Sequence, residues 1–179
     1  MAVSTPKQGL SIRPATPADV PVLLPLIRSA YRGEFSRKGW TTEADLLADQ
    51  RIDEAGLLAK ITEPEGVVLL VVDPSAPATA LSCCEVARSK KDPAVAYFGL
   101  FAVDPERQAG GVGRAVLAHA EAFAAARWGV VRMEIGADCV VPAEGYGKTG
   151  ERREFPYKEL VDGKALRDDL WFEVLEKEL

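Results

Sequence analysis

The sequence has little of what staples small domains or holds metals: three cysteines and one histidine in 179 residues. Cys83 and Cys84 are adjacent in an apolar stretch, where strand alternation points them to opposite faces, and Cys139 stands alone. There is no Cys-x-x-Cys pair to accompany His119, so neither a disulfide framework nor a structural zinc site is expected. The expected compartment is reducing and cytoplasmic, and no metal is expected. Long apolar runs are missing too. The longest, Ala94 to Val103, has ten residues, about half of a bilayer span. Met1 to Gly9 lack a basic start followed by an apolar core, so no secretory signal is expected and no membrane partner. Basic residues are in deficit, with 22 Lys and Arg against 27 Asp and Glu, a net charge of −5. A duplex nucleic-acid binder normally carries a basic face, so no nucleic-acid partner is expected either.

What is present is an ordinary globular mixture, 47% hydrophobic and 27% charged, enough for one core without staples. Residues 1–9 read as a flexible tail and 10–179 as a single domain. Leu10 to Arg13 is a strand candidate. Thr16 can then cap a helix that has Pro17 at its first position and Asp19 three residues after the cap. Val20, Leu23, Leu24, Ile27 and Tyr31 recur at helical spacing, predicting a helix over Pro17 to Arg32 with a kink at Pro25. Gly33 to Thr42 reads as a loop. Thr42 opens a second helical region with Leu46, Leu47 and Ile52 inward, and Asp53 to Ile61 is weaker helical material interrupted by Gly56.

Val67 to Val72 is a β-branched and leucine run typical of a buried strand, and Thr79 to Arg88 should form a hairpin with it. Further strands are expected at Ala94 to Val103, Val131 to Ala137, Gly147 to Glu154 and Leu170 to Leu175, the last fraying towards Leu179. A helix runs from the glycine cluster at 110–113 to Trp128, with Val112, Val116, His119 or Ala120, and Phe123 on one stripe; His119 is expected to be partly buried.

The segment that carries chemistry is Val103-Asp104-Pro105-Glu106-Arg107-Gln108-Ala109-Gly110-Gly111-Val112-Gly113-Arg114, which follows an apolar strand and opens a helix. Without side chains at Gly110, Gly111 and Gly113, successive backbone N–H groups can converge on an anion at the helix N-terminus, and a pyrophosphate suits such a nest. Arg107 and Arg114 can add charge at its rim. A dinucleotide fingerprint fails because Val116 stands where the third glycine belongs, and no Gly-Lys-Ser/Thr of a Walker loop is present. For the glycines alone, a plain turn feeding a helix remains an equal alternative.

The chain resembles the GNAT N-acetyltransferase superfamily. The Gln/Arg-x-x-Gly-x-Gly/Ala pattern of that family is met by Gln108 to Gly113, and the resemblance extends from Ile12-Arg13-Pro14-Ala15-Thr16 to Gly145-Tyr146 and Thr149-Gly150-Glu151. It implies an α/β (α+β) fold with a mixed, mostly antiparallel central sheet flanked by helices. It also implies acetyl-CoA or a related acyl-CoA as co-substrate. The backbone amides of Gln108, Ala109, Gly110, Gly111, Val112 and Gly113 would hold the pyrophosphate, with Arg114 nearby. Phe101, Ala102 and Val103 of the fourth strand would pair with the pantetheine arm where that strand splays from the fifth. An acceptor amine would attack the thioester directly.

Two departures bear on catalysis. Tyr97 stands where the histone-acetylating branch has its base glutamate. A tyrosine is a poor base near neutral pH, so Tyr97 either orders a water or substrate or fills the cleft wall. The connection between the fifth and sixth strands, Asp138 to Gly145, is shortened and has no room for the helix that carries an acid tyrosine in the family; Tyr146 then reads as a core aromatic. Glu85 and Glu134 flank the fourth strand, and either can reach the cleft through a water or remain a solvated strand residue.

By the same resemblance, the acceptor side includes Phe35, Trp40 and Glu43, a mixture suited to a small amine with an apolar portion. The expected partner is a small-molecule amine, and a homodimer is left open. Alternatives are a catalytically weak or inactive acyl-CoA-binding module, and a protein N-terminal or lysine acetyltransferase.

Overall fold

The leucine and valine run at 67–72 becomes a strand buried on both faces, one place in from the edge of the sheet. The computed structural model describes residues 9–39, 42–76, 78–108, 110–137, 145–161 and 165–179. In chain order these form β1 (Ser11–Pro14), α1 (Val20–Tyr31), α2 (Gly33–Ser36), α3 (Glu54–Ile61), β2 (Gly66–Val72), β3 (Ala80–Arg88), β4 (Val95–Val103), α4 (Val112–Trp128), β5 (Arg132–Ala137), β6 (Gly147–Glu154) and β7 (Trp171–Glu178). One seven-stranded sheet has the order β1-β2-β3-β4-β5-β7-β6, and only the β4–β5 pair is parallel.

Both faces of β2 are buried, which is why it reads as an unbroken apolar run. Val67, Leu69 and Val71 join a core with α4, through Val116, Ala120 and Ala124. Val68, Leu70 and Val72 join a second core with α1 and α3, through Leu23, Ile27 and Leu57. Cys84 enters the first core and Cys83 the second, as alternation requires.

The entry to α1 follows its sequence signal. Thr16 donates its N–H and its Oγ1 to Asp19 Oδ2 at 2.8 and 2.9 Å, and a 3-10 turn at Pro17–Asp19 leads into the helix. Pro25 lies on the exposed side of α1, which runs on through it. At the far end of α4, Gly129 adopts φ +65° and returns its N–H to Ala125 at 2.9 Å, a left-handed cap that glycine accepts without Cβ strain.

Three expectations are corrected. Residues 33–36 of the expected loop form the one-turn helix α2. Residues 42–53 do not continue as a helix: the N–H groups of Leu46 and Leu47 both reach the Glu43 carbonyl, giving a single turn. Leu47 then bridges to Ala165, and Leu166 donates to the Leu46 carbonyl at 2.9 Å. That tertiary pairing, with Arg32 holding acids on both sides of the turn, overrides a helical pattern. Leu47 and Ile52 are nevertheless buried, as expected. His119 is exposed, and Leu117 takes the buried place beside Val116. The last strand runs to Glu178, along the stretch where fraying towards Leu179 is expected. Residues 1–8, Trp40, Ala109, and the 138–144 connection with Cys139 lie outside the described residues. Among the described residues, no helix is long and apolar enough to cross a membrane.

Candidate active site at the fork of the sheet

The site begins where β4 loses its neighbour. On one side β4 is paired with β3 from Ala96 to Val103, but on the other it meets β5 only from Val95↔Arg132 to Phe98↔Ile135. Gly136 and Ala137 of β5 continue on β7 instead. Between Gly99 and Ala102 the β4 strand bulges: Glu85 faces Gly99 and Cys83 faces Ala102, so Leu100 and Phe101 together oppose Cys84. Leu100 has φ +45°, an unfavourable conformation for a branched side chain. The bulge reverses the alternation. Ala96 and Phe98 face the α4 core, and after the bulge Phe101 and Val103 do so while Leu100 and Ala102 turn to the α1 core. Ser82 Oγ donates to the Ala102 carbonyl at 2.7 Å, and the Tyr31 hydroxyl donates to the Phe101 carbonyl, fixing the bulged segment from two sides.

Tyr97 sits in the fork. A Cβ on Gly99 would stand 2.5 Å from Tyr97 Cε1, and one on Gly136 would stand 3.8 Å from its hydroxyl. Glycine at position 99 therefore leaves room for the half-buried ring, whereas a Cβ at Gly136 would make only ordinary contact with it. This placement favours an aromatic wall, with the hydroxyl lying between the two strands.

Below the fork, β4 leads into the glycine loop. Arg107 donates its N–H to the Asp104 carbonyl at 2.8 Å, closing the turn, and its guanidinium pairs with Asp73 at 3.1 Å. Gln108 donates Nε2 to the Val103 carbonyl at 3.3 Å, so its side chain ties the loop back to the strand. Gly111, at the head of α4, has φ +79°, and a Cβ there would meet nothing within 4 Å: the space above the helix start is open. Gly113 serves a different purpose, since a Cβ would press to 3.2 Å from Phe101 Cζ; its absence lets α4 approach β4. Ala115 donates back to the Gly111 carbonyl, so the N–H groups of Val112 and Gly113 precede the intrahelical ladder and face the helix entrance. Arg114 is exposed in this first turn. Such an entrance suits an anion.

On the α1 side of the sheet, a cleft of about 460 Å³ meets the same bulge. Glu85, Tyr97 and Leu100 form one end, while Arg32, Glu43 and Asp49 form the polar wall. Leu47, Ile52, Phe155, Leu160 and Val161 supply apolar surface, the last three from the β6–β7 connection. Glu85 is 8% exposed, and both its oxygens accept from Lys60 Nζ, at 2.9 and 2.7 Å. Arg32 bridges Glu43 and Asp49, with the Asp49 contact at 2.6 Å. The guanidinium of Arg51 lies 4.9 Å from the centre of the Tyr31 ring.

Of the residues singled out from sequence, Glu85, Tyr97 and Glu43 thus line one cleft. Phe35 does not: it is 40% exposed beneath the Lys38 ammonium. Glu134 points to Arg153 at 2.9 Å. Tyr146 packs against the α4 core and donates to Glu121; burial first, and then that carboxylate, push its phenol well above the ordinary range, which disfavours it as an acid. Burial also pushes the Cys83 thiol up to about 12 and Cys84 well above its ordinary value, so neither is a thiolate nucleophile at neutral pH. Arg32, Asp49 and Lys60 escaped sequence reading. Their only local signals were a charge at the end of α1 and a basic residue in the last turn of α3. Among the described residues, no cluster of metal-ligating side chains is found.

The profile of the acetyltransferase (GNAT) family matches residues 23–145. A search of curated protein sequences finds no match. Among solved structures, PaiA N-acetyltransferase from Thermoplasma acidophilum, in complex with coenzyme A, superposes with a TM-score of 0.64 at 15% identity, covering 96% of this chain and 100% of that one. The ribosomal-protein-S18-alanine N-acetyltransferase of Escherichia coli gives 0.63 at 14% identity over 94% and 93%. N-acetylglutamate synthase from Neisseria gonorrhoeae, complexed with coenzyme A and L-arginine, gives 0.60 at 20%, over 96% of this chain and 33% of that one. With the family profile spanning more than half of its length, the chain belongs to the acetyltransferase (GNAT) family of acyltransferases.

Proposed function

We propose that the chain, as a single domain over 10–179, transfers the acetyl group of acetyl-CoA to a primary amine of a small molecule. The observation that carries this reading is the convergence of two half-sites on the β4 bulge: the open glycine loop on the α4 side and the charged cleft on the α1 side. In this reading the pyrophosphate lies at Gln108 to Gly113 with Arg114 at its edge. The pantetheine arm runs along Phe101 to Val103, whose neighbour β5 has already turned away. Coenzyme A in the N-acetyltransferase structure from Thermoplasma acidophilum supports the choice of co-substrate.

The amine enters through the cleft. Glu85 accepts a proton from the incoming ammonium, directly or through a water, and the Tyr97 ring bounds the reacting end of the cleft. The neutral amine forms the new C–N bond, the C–S bond breaks with its electron pair on CoA sulfur, and the nitrogen gives its surplus proton to that thiolate, so no separate strong acid is needed. Backbone N–H groups at the bulge are suited to polarise the thioester carbonyl. Glu43, locked to Arg32, shapes the wall rather than exchanging protons. The apolar lining from Phe155, Leu160 and Val161 supports an acceptor with an apolar portion.

The test is thiol release from acetyl-CoA across a panel of primary amines, alongside thermal shift with acetyl-CoA. Stabilisation with turnover on at least one small amine is expected. Stabilisation without turnover on any amine or peptide N-terminus would leave a binding module instead, and absence of both would overturn the reading.

A further inference from the structure

We propose that Lys60 is an internal acceptor: when no exogenous amine is bound, the chain acetylates Lys60 Nζ within its own cleft. The proposal rests on the acetyl-transfer reading above. Lys60 stands in the last turn of α3, and its ammonium reaches both oxygens of Glu85 at 2.9 and 2.7 Å. It therefore holds the position that a substrate ammonium would take on that carboxylate. Glu85 is in register with Gly99, next to the Leu100 bulge, and Lys60, Glu85, Tyr97 and Leu100 all line the cleft.

Other lysines are ion-paired as well: Lys38 with Glu106, Lys148 with Glu173 and Lys177 with Glu121. None of them lines the cleft, so among the described lysines Lys60 alone combines a primary amine, an adjacent carboxylate and this location. Its side chain is 38% exposed, which leaves it able to swing along the cleft. A tethered amine also reacts at the high effective concentration of an intramolecular step.

The step balances with acetyl-CoA as the only co-reactant. The Lys60 ammonium gives one proton to Glu85, and its lone pair forms the C–N bond. The C–S bond breaks with its electron pair on CoA sulfur, and the amide nitrogen loses its second proton to that thiolate. The product is neutral N-acetyl-lysine, CoA thiol and a proton that Glu85 releases to solvent. Because the lone pair of the product amide is delocalised into its carbonyl, that nitrogen is no longer a nucleophile and the reaction stops at one group per chain.

The experiment incubates the full chain with acetyl-CoA and no amine, and follows intact mass and the peptide containing Lys60. A single acetyl group on Lys60 is expected, at a first-order rate independent of protein concentration. Added acceptor amine should slow it, Glu85→Gln should slow it about a hundredfold, and Lys60→Arg, which keeps the ion pair, should abolish it. Gly111→Glu reports chemical background, because it blocks the proposed cofactor loop. Lys60 left unmodified by a protein that binds acetyl-CoA and acetylates small amines would overturn this inference alone. Equal modification in the Gly111→Glu chain, or a rate that rises with protein concentration, would also overturn it. Failure to bind acetyl-CoA or to acetylate any amine would remove the parent reading with it.

Discussion

Arg32 carries two buried carboxylates at once. The side chains of Arg32, Glu43 and Asp49 are 9%, 4% and 1% exposed, so removing the guanidinium leaves two poorly solvated carboxylates without their counter-charge. Arg32→Ala should cost about 3–5 kcal/mol, read as a lowered midpoint in urea unfolding; a loss near that of an exposed ion pair would contradict the burial. Asp19 offers a second residue-level test. The Arg13 guanidinium first, and the Thr16 N–H and hydroxyl after it, hold its carboxyl below the usual carboxylate range. A depressed folded value means that its contribution is complete above the unfolded value of about 4 and is lost as pH falls through the lower folded one. Asp19→Asn should therefore lower Tm near neutrality, by the equivalent of about 1 kcal/mol. The gap to the unaltered chain should stay constant down to about pH 4 and narrow below it, as the pH falls towards the depressed folded value. A gap that does not narrow there would contradict the assignment.

Among elements, the fork between β4 and β5 is the decisive one, and Tyr97 depends on the glycine beside it. Gly99→Ala places a Cβ 2.5 Å from the Tyr97 ring, so the ring must leave the fork. The expected outcome is loss of acetyl transfer larger than any loss of acetyl-CoA affinity, measured as kcat against the thermal shift; unchanged kcat would contradict the role of the ring. The elements were mostly legible from local pattern. β2, β3 and α4 stand within a residue or two of where apolar runs and the glycine cluster put them, because burial and turn chemistry decide them locally. The 42–53 segment was not legible, since its path is set by a bridge to Ala165 more than a hundred residues away. The bulge was hidden for a similar reason: Leu100 carries no glycine signal, and its φ of +45° is imposed by Cys83, Glu85 and Tyr31 on neighbouring elements.

Across the whole molecule, the sheet divides two tasks between its faces. On the proposed reading the α4 face offers backbone N–H groups to the pyrophosphate, so a chain of net charge −5 would need no basic surface to bind a polyanionic co-substrate. The α1 face gathers arginine, lysine and carboxylates around a cleft assembled from α1, α3, the bulge and the β6–β7 connection. The glycine loop was readable as a motif because it is contiguous. The cleft was readable only in part, because Glu43, Lys60, Glu85 and Phe155 are far apart in sequence and meet only through the topology.

The most direct measurement is paired: acetyl-CoA binding by thermal shift and thiol release with a primary amine, on the unaltered chain, Gly111→Glu and Glu85→Gln. The account predicts that Gly111→Glu loses both, because a bulky acidic side chain enters the loop where φ is +79° and the space is open. Glu85→Gln should keep binding and lose about a hundredfold or more in turnover. Undiminished acetyl-CoA affinity in Gly111→Glu, or full turnover in Glu85→Gln, would contradict it.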